Sequence, residues 1–290
     1  MSHPLVEPVL AWFAQARRDL PWRSADRTAW GVLVSEVMLQ QTPVARVEPV
    51  WLEWMARWPD AASMAGASTA DVLRAWGRLG YPRRALRLQE CARTVVARHG
   101  GDLPTDPAEL LALPGIGAYT AAAVAAFAHG RRSVVMDTNV RRVLARALGG
   151  VALPAPHLTR RETARADAVV PEADDVAASW NAAVMELGAL VCTARNPACE
   201  VCPIEASCAW RRAGRPDDPT PRRAQAWAGT DRQLRGLVMG ALRDAPGSVP
   251  HADLAPTWPD REQRDRALAG LAADGLAVRD DHTGAWRLPD

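Results

Sequence analysis

Thr105 to Arg142 reads TDPAELLALPGIGAYTAAAVAAFAHGRRSVVMDTNVRR. Two apolar helical runs, one ending near Leu111 and one opening after Gly117, are joined by Leu113-Pro114-Gly115-Ile116-Gly117. The glycines permit backbone angles that other residues resist, and they strip side chains from the turn. A turn of this kind leading into a helix presents unpaired N–H groups at the positive end of the helix, which suits a phosphate oxygen. Asp137 follows Gly115 by 22 residues, inside Met136-Asp137-Thr138-Asn139-Val140-Arg141-Arg142. Taken alone, the stretch also fits an ordinary helix hairpin with a surface aspartate, so the rest of the chain has to decide.

At 290 residues the chain is long for one domain, and two or three are expected. The longest apolar run, around Ala118 to Ala128, is far short of the roughly 20 residues a bilayer demands. With no charged-then-apolar leader at the start, the expectation is a soluble cytosolic protein. A net charge of +2 does not by itself argue nucleic-acid binding. The kind of charge says more: all 35 basic residues are arginine. Arginine grips phosphate through a planar fork, and without lysine a Schiff-base mechanism is excluded apart from the terminal amine.

Outward toward the N-terminus, residues 4 to 18 carry apolar side chains at helical spacing, and Pro21 in Asp19-Leu20-Pro21-Trp22-Arg23 must break that helix. Trp22 is either a core anchor or part of a pocket wall. Residues 28 to 41 form the next helical run, with Glu36 among Val34, Val37, Met38 and Leu39. Desolvation in such surroundings raises a carboxyl pKa and keeps it protonated, the state a general acid needs. Gln40-Gln41-Thr42-Pro43 ends the run with uncharged hydrogen-bonding side chains. Residues 44 to 100 read as three or four helices with breaks near Pro59, Gly66 and Pro82, and residues 141 to 190 give more helices, Glu186 lying in the apolar run Trp180 to Leu190. The first 210 residues are therefore all-α by pattern.

Cys192, Cys199, Cys202 and Cys208 have gaps of six, two and five residues, while Cys91 stands apart in a helical run. In a cytosolic chain such a cluster is more often a metal site than disulfides, and four thiolates suit zinc or an iron-sulfur cluster. One two-residue gap instead of the usual two in zinc ribbons mildly disfavours zinc.

The hairpin with its following aspartate resembles the helix-hairpin-helix-Gly-Pro-Asp family of DNA glycosylases. Within it, Leu20-Pro21-Trp22-Arg23, Ser35-Glu36-Val37-Met38-Leu39-Gln40-Gln41-Thr42 and Trp76-Gly77-Arg78-Leu79-Gly80-Tyr81 resemble segments of MutY-type adenine DNA glycosylases, over roughly residues 5 to 210. Pro82 stands where that family commonly has a second tyrosine. The resemblance implies a six-helix domain with the helix-hairpin-helix motif at 28–133 and a discontinuous iron-sulfur domain at 1–27 and 134–212. It implies that the four cysteines hold a 4Fe-4S cluster. It also implies removal of adenine from double-stranded DNA where it is mispaired with 8-oxoguanine or guanine, in base excision repair, by a monomer.

The residues' own chemistry fits. Breaking a base–sugar bond needs a proton for the leaving base and a negative charge beside the sugar as it becomes an oxocarbenium-like cation; Glu36 suits the first task and Asp137 the second. By resemblance, Glu36 protonates adenine and helps activate water, Asp137 stabilises the cation, and Asn139 orients Asp137 or the water. Tyr119 occupies the position of the catalytic lysine of the related endonuclease III enzymes, which implies a monofunctional glycosylase that leaves the strand uncut. Arg18, Trp22 and Glu186 match positions lining the adenine pocket. Gln41, Thr42 and Tyr81 match residues that enter the duplex and contact the base opposite adenine, and Gly115 and Gly117 would donate N–H groups to phosphate.

Residues 213–229 read as a linker rich in Pro, Arg and Asp. Residues 230–290 hold two helical runs and two short apolar segments flanking Asp280-Asp281-His282-Thr283-Gly284, a small α+β and winged-helix-like module or a simple packing appendage. Many relatives end instead in a larger domain that reads 8-oxoguanine through a Phe-Ser-His loop; here the only phenylalanines are Phe13 and Phe127. Two competing readings are a thymine or uracil mismatch glycosylase on the same scaffold, and a non-catalytic cluster-bearing DNA-binding module. Base release from defined mismatches separates the first, and a Glu36→Gln variant separates the second.

Overall fold

The computed structural model describes residues 3–217 and 227–290, so 218–226 of the expected linker lie outside the described residues. Packing divides the chain into two units. The first contains the chain up to Glu36, Pro104–Ala112, and the chain from Ile116 to the linker region; the second contains Val37–Leu103, Leu113–Gly115 and the C-terminal residues to Asp290. Residues 28–36 and most of 104–133 thus pack with the same unit as 1–27 and 134–212, whereas the C-terminal residues pack with 37–103.

The described residues are mostly helical. In chain order come α1 (Val6–Ala16), α2 (Ala29–Leu39), α3 (Val44–Arg57), α4 (Ala61–Ala65), α5 (Thr69–Trp76), α6 (Arg83–His99) and α7 (Pro107–Leu111). They are followed by α8 (Ala118–Phe127), α9 (Thr138–Ala147), α10 (Arg160–Asp167), α11 (Asp174–Leu190), α12 (Ala209–Arg212), α13 (Asp231–Asp244) and α14 (Arg261–Ala273). Short polar residues set many starts by accepting the otherwise orphaned N–H groups of the first turn. Asp60 with Ser63 and Thr159 with Glu162 form reciprocal capping boxes. Ser68, Asp106, Thr230 and Asp260 cap α5, α7, α13 and α14. No helix among the described residues is long and apolar enough to cross a membrane.

In the first unit α11 is the central helix, packed by α1, α8 and α9. Its core joins Val9 of α1, Val140, Val143 and Leu144 of α9, and Trp180, Val184 and Leu187 of α11. Burying each such side chain contributes on the order of 1.5–3 kcal/mol. In the second unit α6 packs on α4 and α5, and the indole of Trp54 meets Trp58 and Trp76 edge-on at 5.0 and 5.4 Å between ring centres. There too α13 packs on α14 and on α5. Strands β1 (Val278–Arg279) and β2 (Trp286–Arg287) pair antiparallel, Val278 opposite Arg287, and Val249 adds a bridge to Trp286. The two expected C-terminal helices and the hairpin are therefore all present.

Candidate active site

Glu36 lies in the last third of α2 and is buried, as its apolar neighbours require. Burial pushes its carboxyl up to about 7, and the nearby charge of Asp137 adds to this; the Tyr119 hydroxyl and the Arg23 guanidinium pull the other way. Tyr119, in the first turn of α8, donates a hydrogen bond of 2.7 Å to Glu36 Oε2. Its own phenol is raised well above the ordinary value by burial and by the two carboxylates, so it remains a donor.

Asp137 is the N-cap of α9. Oδ1 accepts from Val140 N at 2.6 Å and Oδ2 from Asn139 Nδ2 at 2.8 Å. Burial raises its pKa while these donors and the Arg142 charge lower it. Both carboxyls are thus raised, yet only Asp137 sits at a positive helix end with a backbone donor and a side-chain donor on its oxygens. Asn139 is itself gripped: Arg142 Nη2 donates to Asn139 Oδ1 at 2.7 Å and to Gly188 O at 2.6 Å, and Arg142 Nε donates to Cys192 O at 2.7 Å. Gly188 lets Asn139 itself pack closely on α11, since a Cβ there would lie 2.7 Å from Asn139 Cβ.

Glu186 is fully buried on α11, and its oxygens are occupied by protein donors. Arg18 donates from its backbone N–H (2.9 Å), Nε (2.8 Å) and Nη2 (2.7 Å), and Arg23 Nη2 adds a contact of 3.1 Å. Desolvation works against the charged form, but the donors from Arg18 and Arg23 outweigh it and bring Glu186 down to about 2. Arg18 and Glu186 therefore brace α11 to the segment after α1. Trp22 is buried in a single 3-10 turn, Pro21–Arg23. Arg23, for which the motif Leu20-Pro21-Trp22-Arg23 implies no role, acts on Glu36 through its charge, and its Nη1 is buried without a hydrogen-bond partner among the described residues. Arg142 was likewise not singled out, although its spacing of three from Asn139 on one helix was a usable signal.

Gln41, Thr42 and Tyr81 belong to the second unit. Gln41 and Tyr81 both have positive φ, 55° and 48°, a strained conformation for side-chain-bearing residues. Thr42 is buried, its hydroxyl accepting from Arg84 Nη2 at 3.0 Å and facing Leu79 O at 3.3 Å. Arg84 also donates to the carbonyls of Val37, Met38 and Gln40 at 2.8, 3.0 and 2.6 Å, closing the end of α2. The two hairpin glycines differ. Gly115 has φ 75°, and a Cβ there would meet Arg87 Cβ at 2.8 Å. Gly117 has φ −97° and open space where a Cβ would go, so its backbone angles need no glycine; it begins α8 without a side-chain cap.

Cys192, Cys199, Cys202 and Cys208 line one pocket together with Arg146, Pro197 and Trp210. Among the described residues no three His, Cys, Asp or Glu side chains gather as around a single metal ion. Arg146 Nη1 lies 3.3 Å from Cys192 Sγ and donates to Thr193 O at 2.7 Å. Burial pushes Cys202 up to about 11 and raises Cys192, so these thiols ionise only where cations take the proton's place. Four sulfurs around a walled space, with a guanidinium beside one, fit a 4Fe-4S cluster held by four cysteines, with Arg146 to offset its negative charge.

Residues 34–166 match the HhH-GPD superfamily of base excision DNA repair proteins, and residues 192–208 match the iron-sulfur binding domain of endonuclease III. An adenine DNA glycosylase of Mycolicibacterium smegmatis is 53% identical over 274 residues, covering 93% of this chain and 92% of that protein. One from Mycobacterium tuberculosis is 52% identical over 303 residues, covering 100% and 99%. Among solved structures, a thermostable thymine-DNA glycosylase superposes with a TM-score of 0.65 at 28% identity, over 72% of this chain and 95% of that one.

Proposed function

The chain belongs to the adenine DNA glycosylases of the HhH-GPD base excision repair superfamily, and from its site we propose that it hydrolyses the bond between adenine and deoxyribose where adenine is mispaired with 8-oxoguanine or guanine in double-stranded DNA. The observation that carries the reading is the pair of buried carboxyls: Glu36, raised to about 7 beside the Tyr119 hydroxyl, and Asp137, fixed at the head of α9.

The adenine must first leave the stack, at a cost of a few kcal/mol. A group with a pKa near 7 is well matched to giving a proton to the departing base and then taking one from water. Glu36 does both in this reading. Asp137 supplies the charge that stabilises the sugar cation, and Asn139, held by Arg142, fixes its orientation. The Arg18–Glu186 brace and Trp22 shape the pocket wall. Tyr119 cannot form a Schiff base, and the chain has no lysine, so the product is an abasic site in an unbroken strand.

In the second unit, Gln41, Thr42 and Tyr81 serve the base opposite adenine. Gly115 and Gly117 serve the phosphates, Gly117 because its missing side chain lets an oxygen approach. Cys192, Cys199, Cys202 and Cys208 would hold the cluster, which when bound would cross-link the loop at 192–208. Residues 1–27 with 134–212 stay assigned to the cluster domain and 28–133 to the six-helix domain.

Single-turnover adenine release from duplexes placing adenine opposite 8-oxoguanine, guanine or thymine tests this, with strand breakage scored before and after alkali. Release opposite 8-oxoguanine and guanine, with breaks only after alkali, is expected. Release of thymine or uracil but no adenine would overturn it.

A further inference from the structure

We propose that the C-terminal residues act on the base opposite adenine through Arg232, which holds the ring of Tyr81 in its working position. The inference rests on the reading of Tyr81 as a contact to that base.

Tyr81 is a costly residue as it stands. It is 47% exposed, and its φ of 48° is one that a bulky side chain rarely adopts. Strain of this kind persists only where neighbours hold it. Two guanidiniums do so. Arg84 lies 5.6 Å from the Tyr81 ring centre and 5.1 Å from that of Trp76, and is fixed by the carbonyls at the end of α2. Arg232, in the first turn of α13, lies 5.7 Å from the Tyr81 ring and 5.0 Å from that of Trp227, itself 52% exposed.

The second guanidinium is supplied by an anchored element. Thr230 caps α13 and donates to Trp227 O at 2.7 Å, and Gln263 of α14 donates to Gly229 O at 3.1 Å. Asp274 pairs with Arg83, near Tyr81 in sequence, at 3.1 Å, and with Arg235 of α13. Arg83 and Arg235 thus share one carboxylate, so the C-terminal helices and the start of α6 are tied together. An exposed aromatic ring carrying cations is the arrangement that stacks on a nucleobase, and rings stack sequence-tolerantly unless their orientation is fixed. Arg232 is therefore a positioning residue, and opposite-base discrimination passes through Tyr81.

The test is a double-mutant cycle in the full chain: Arg232→Ala, Tyr81→Ala and the pair, with Arg232→Lys as the conservative variant. Two readouts are taken for adenine opposite 8-oxoguanine and opposite guanine. One is single-turnover adenine release; the other is equilibrium binding to duplexes carrying 2′-fluoro-deoxyadenosine, which resists cleavage. Arg232→Ala is expected to lower the 8-oxoguanine-over-guanine ratio by about two- to fivefold, the size of an exposed cation–π contact. Arg232→Lys is expected to recover part of it. In the Tyr81→Ala background the same substitution is expected to change nothing further. Equal loss for both opposite bases, additive with Tyr81→Ala and shrinking at high salt, would make Arg232 a phosphate contact and overturn the proposal, as would no change at all. If the wild type releases no adenine from any duplex, the adenine reading fails, and the cycle in binding alone decides whether Arg232 acts through Tyr81.

Discussion

The hydroxyl of Tyr119 donates to Glu36 Oε2 at 2.7 Å across 83 residues of sequence, onto a carboxyl that burial pushes up to about 7. Desolvation outweighs the donor from Tyr119 and the charge of Arg23, which leaves the group able to exchange a proton in the physiological range.

The pH dependence of adenine release follows from that value. In the proposed role Glu36 must be protonated to give its proton, so the single-turnover rate is expected to fall as pH rises through about 7. Glu36→Gln is expected to lower the rate by about 100-fold or more and to abolish that alkaline limb. Removing the donor with Tyr119→Phe takes away an influence that lowers the pKa, so the limb should move to higher pH.

Glu36 also opposes folding where it is ionised. Its folded pKa lies above the unfolded value of 4.5, so it favours the fold most below pH 4.5, and that contribution is lost as pH rises through about 7. Glu36→Gln is therefore expected to be more stable than wild type at pH 8, by an amount on the order of 1–3 kcal/mol, the gap closing below pH 5. Urea unfolding at the two pH values measures it; a gap independent of pH would contradict the assignment.

Asp137 combines a cap with a charge, and two substitutions separate them. Asparagine still caps a helix, so Asp137→Asn should cost little stability while lowering adenine release about 100-fold or more. Asp137→Ala should lose a further ~1 kcal/mol in thermal unfolding because the N–H of Val140 is left without its acceptor.

Glu186 and its two arginines form a buried brace, not a surface pair. Glu186→Ala leaves Arg18 and Arg23 without their shared counter-charge, and the expected loss is near the lower end of about 3–5 kcal/mol because Arg18 is 34% exposed. Here the folded pKa, about 2, lies below the unfolded 4.5. The pair's stabilisation is thus present above about pH 4.5 and lost toward pH 2, so acid unfolding should begin earlier in wild type than its neutral-pH stability suggests.

Arg142 links the cluster loop to Asn139 through the carbonyls of Gly188 and Cys192. Removing the cluster by oxidation and chelation is expected to slow adenine release and to mimic Arg142→Ala, since both free Asn139 and, through it, Asp137. Iron loss with unchanged single-turnover rate would show that the loop does not reach the site.

Local order was legible in the sequence. The helix run ending near Leu111 and the one after Gly117, the burial of Glu36 and the cysteine quartet all follow from side-chain period, the apolar neighbours of one acid, and thiol spacing, each contained within a few turns of chain. Of the glycines, Gly115 needed its residue type for a positive φ and the closeness of Arg87, whereas Gly117 did not, a difference that depends on a helix some thirty residues away. What only the tertiary structure decided are the long-range partners: Tyr119 on Glu36, Arg18 and Arg23 on Glu186, Arg142 between Asn139 and Cys192, and Arg232 over Tyr81. Periodicity tells which face of a helix is apolar, but a buried polar group takes whichever donor the packing of distant helices brings within about 3 Å, and no local pattern encodes that choice.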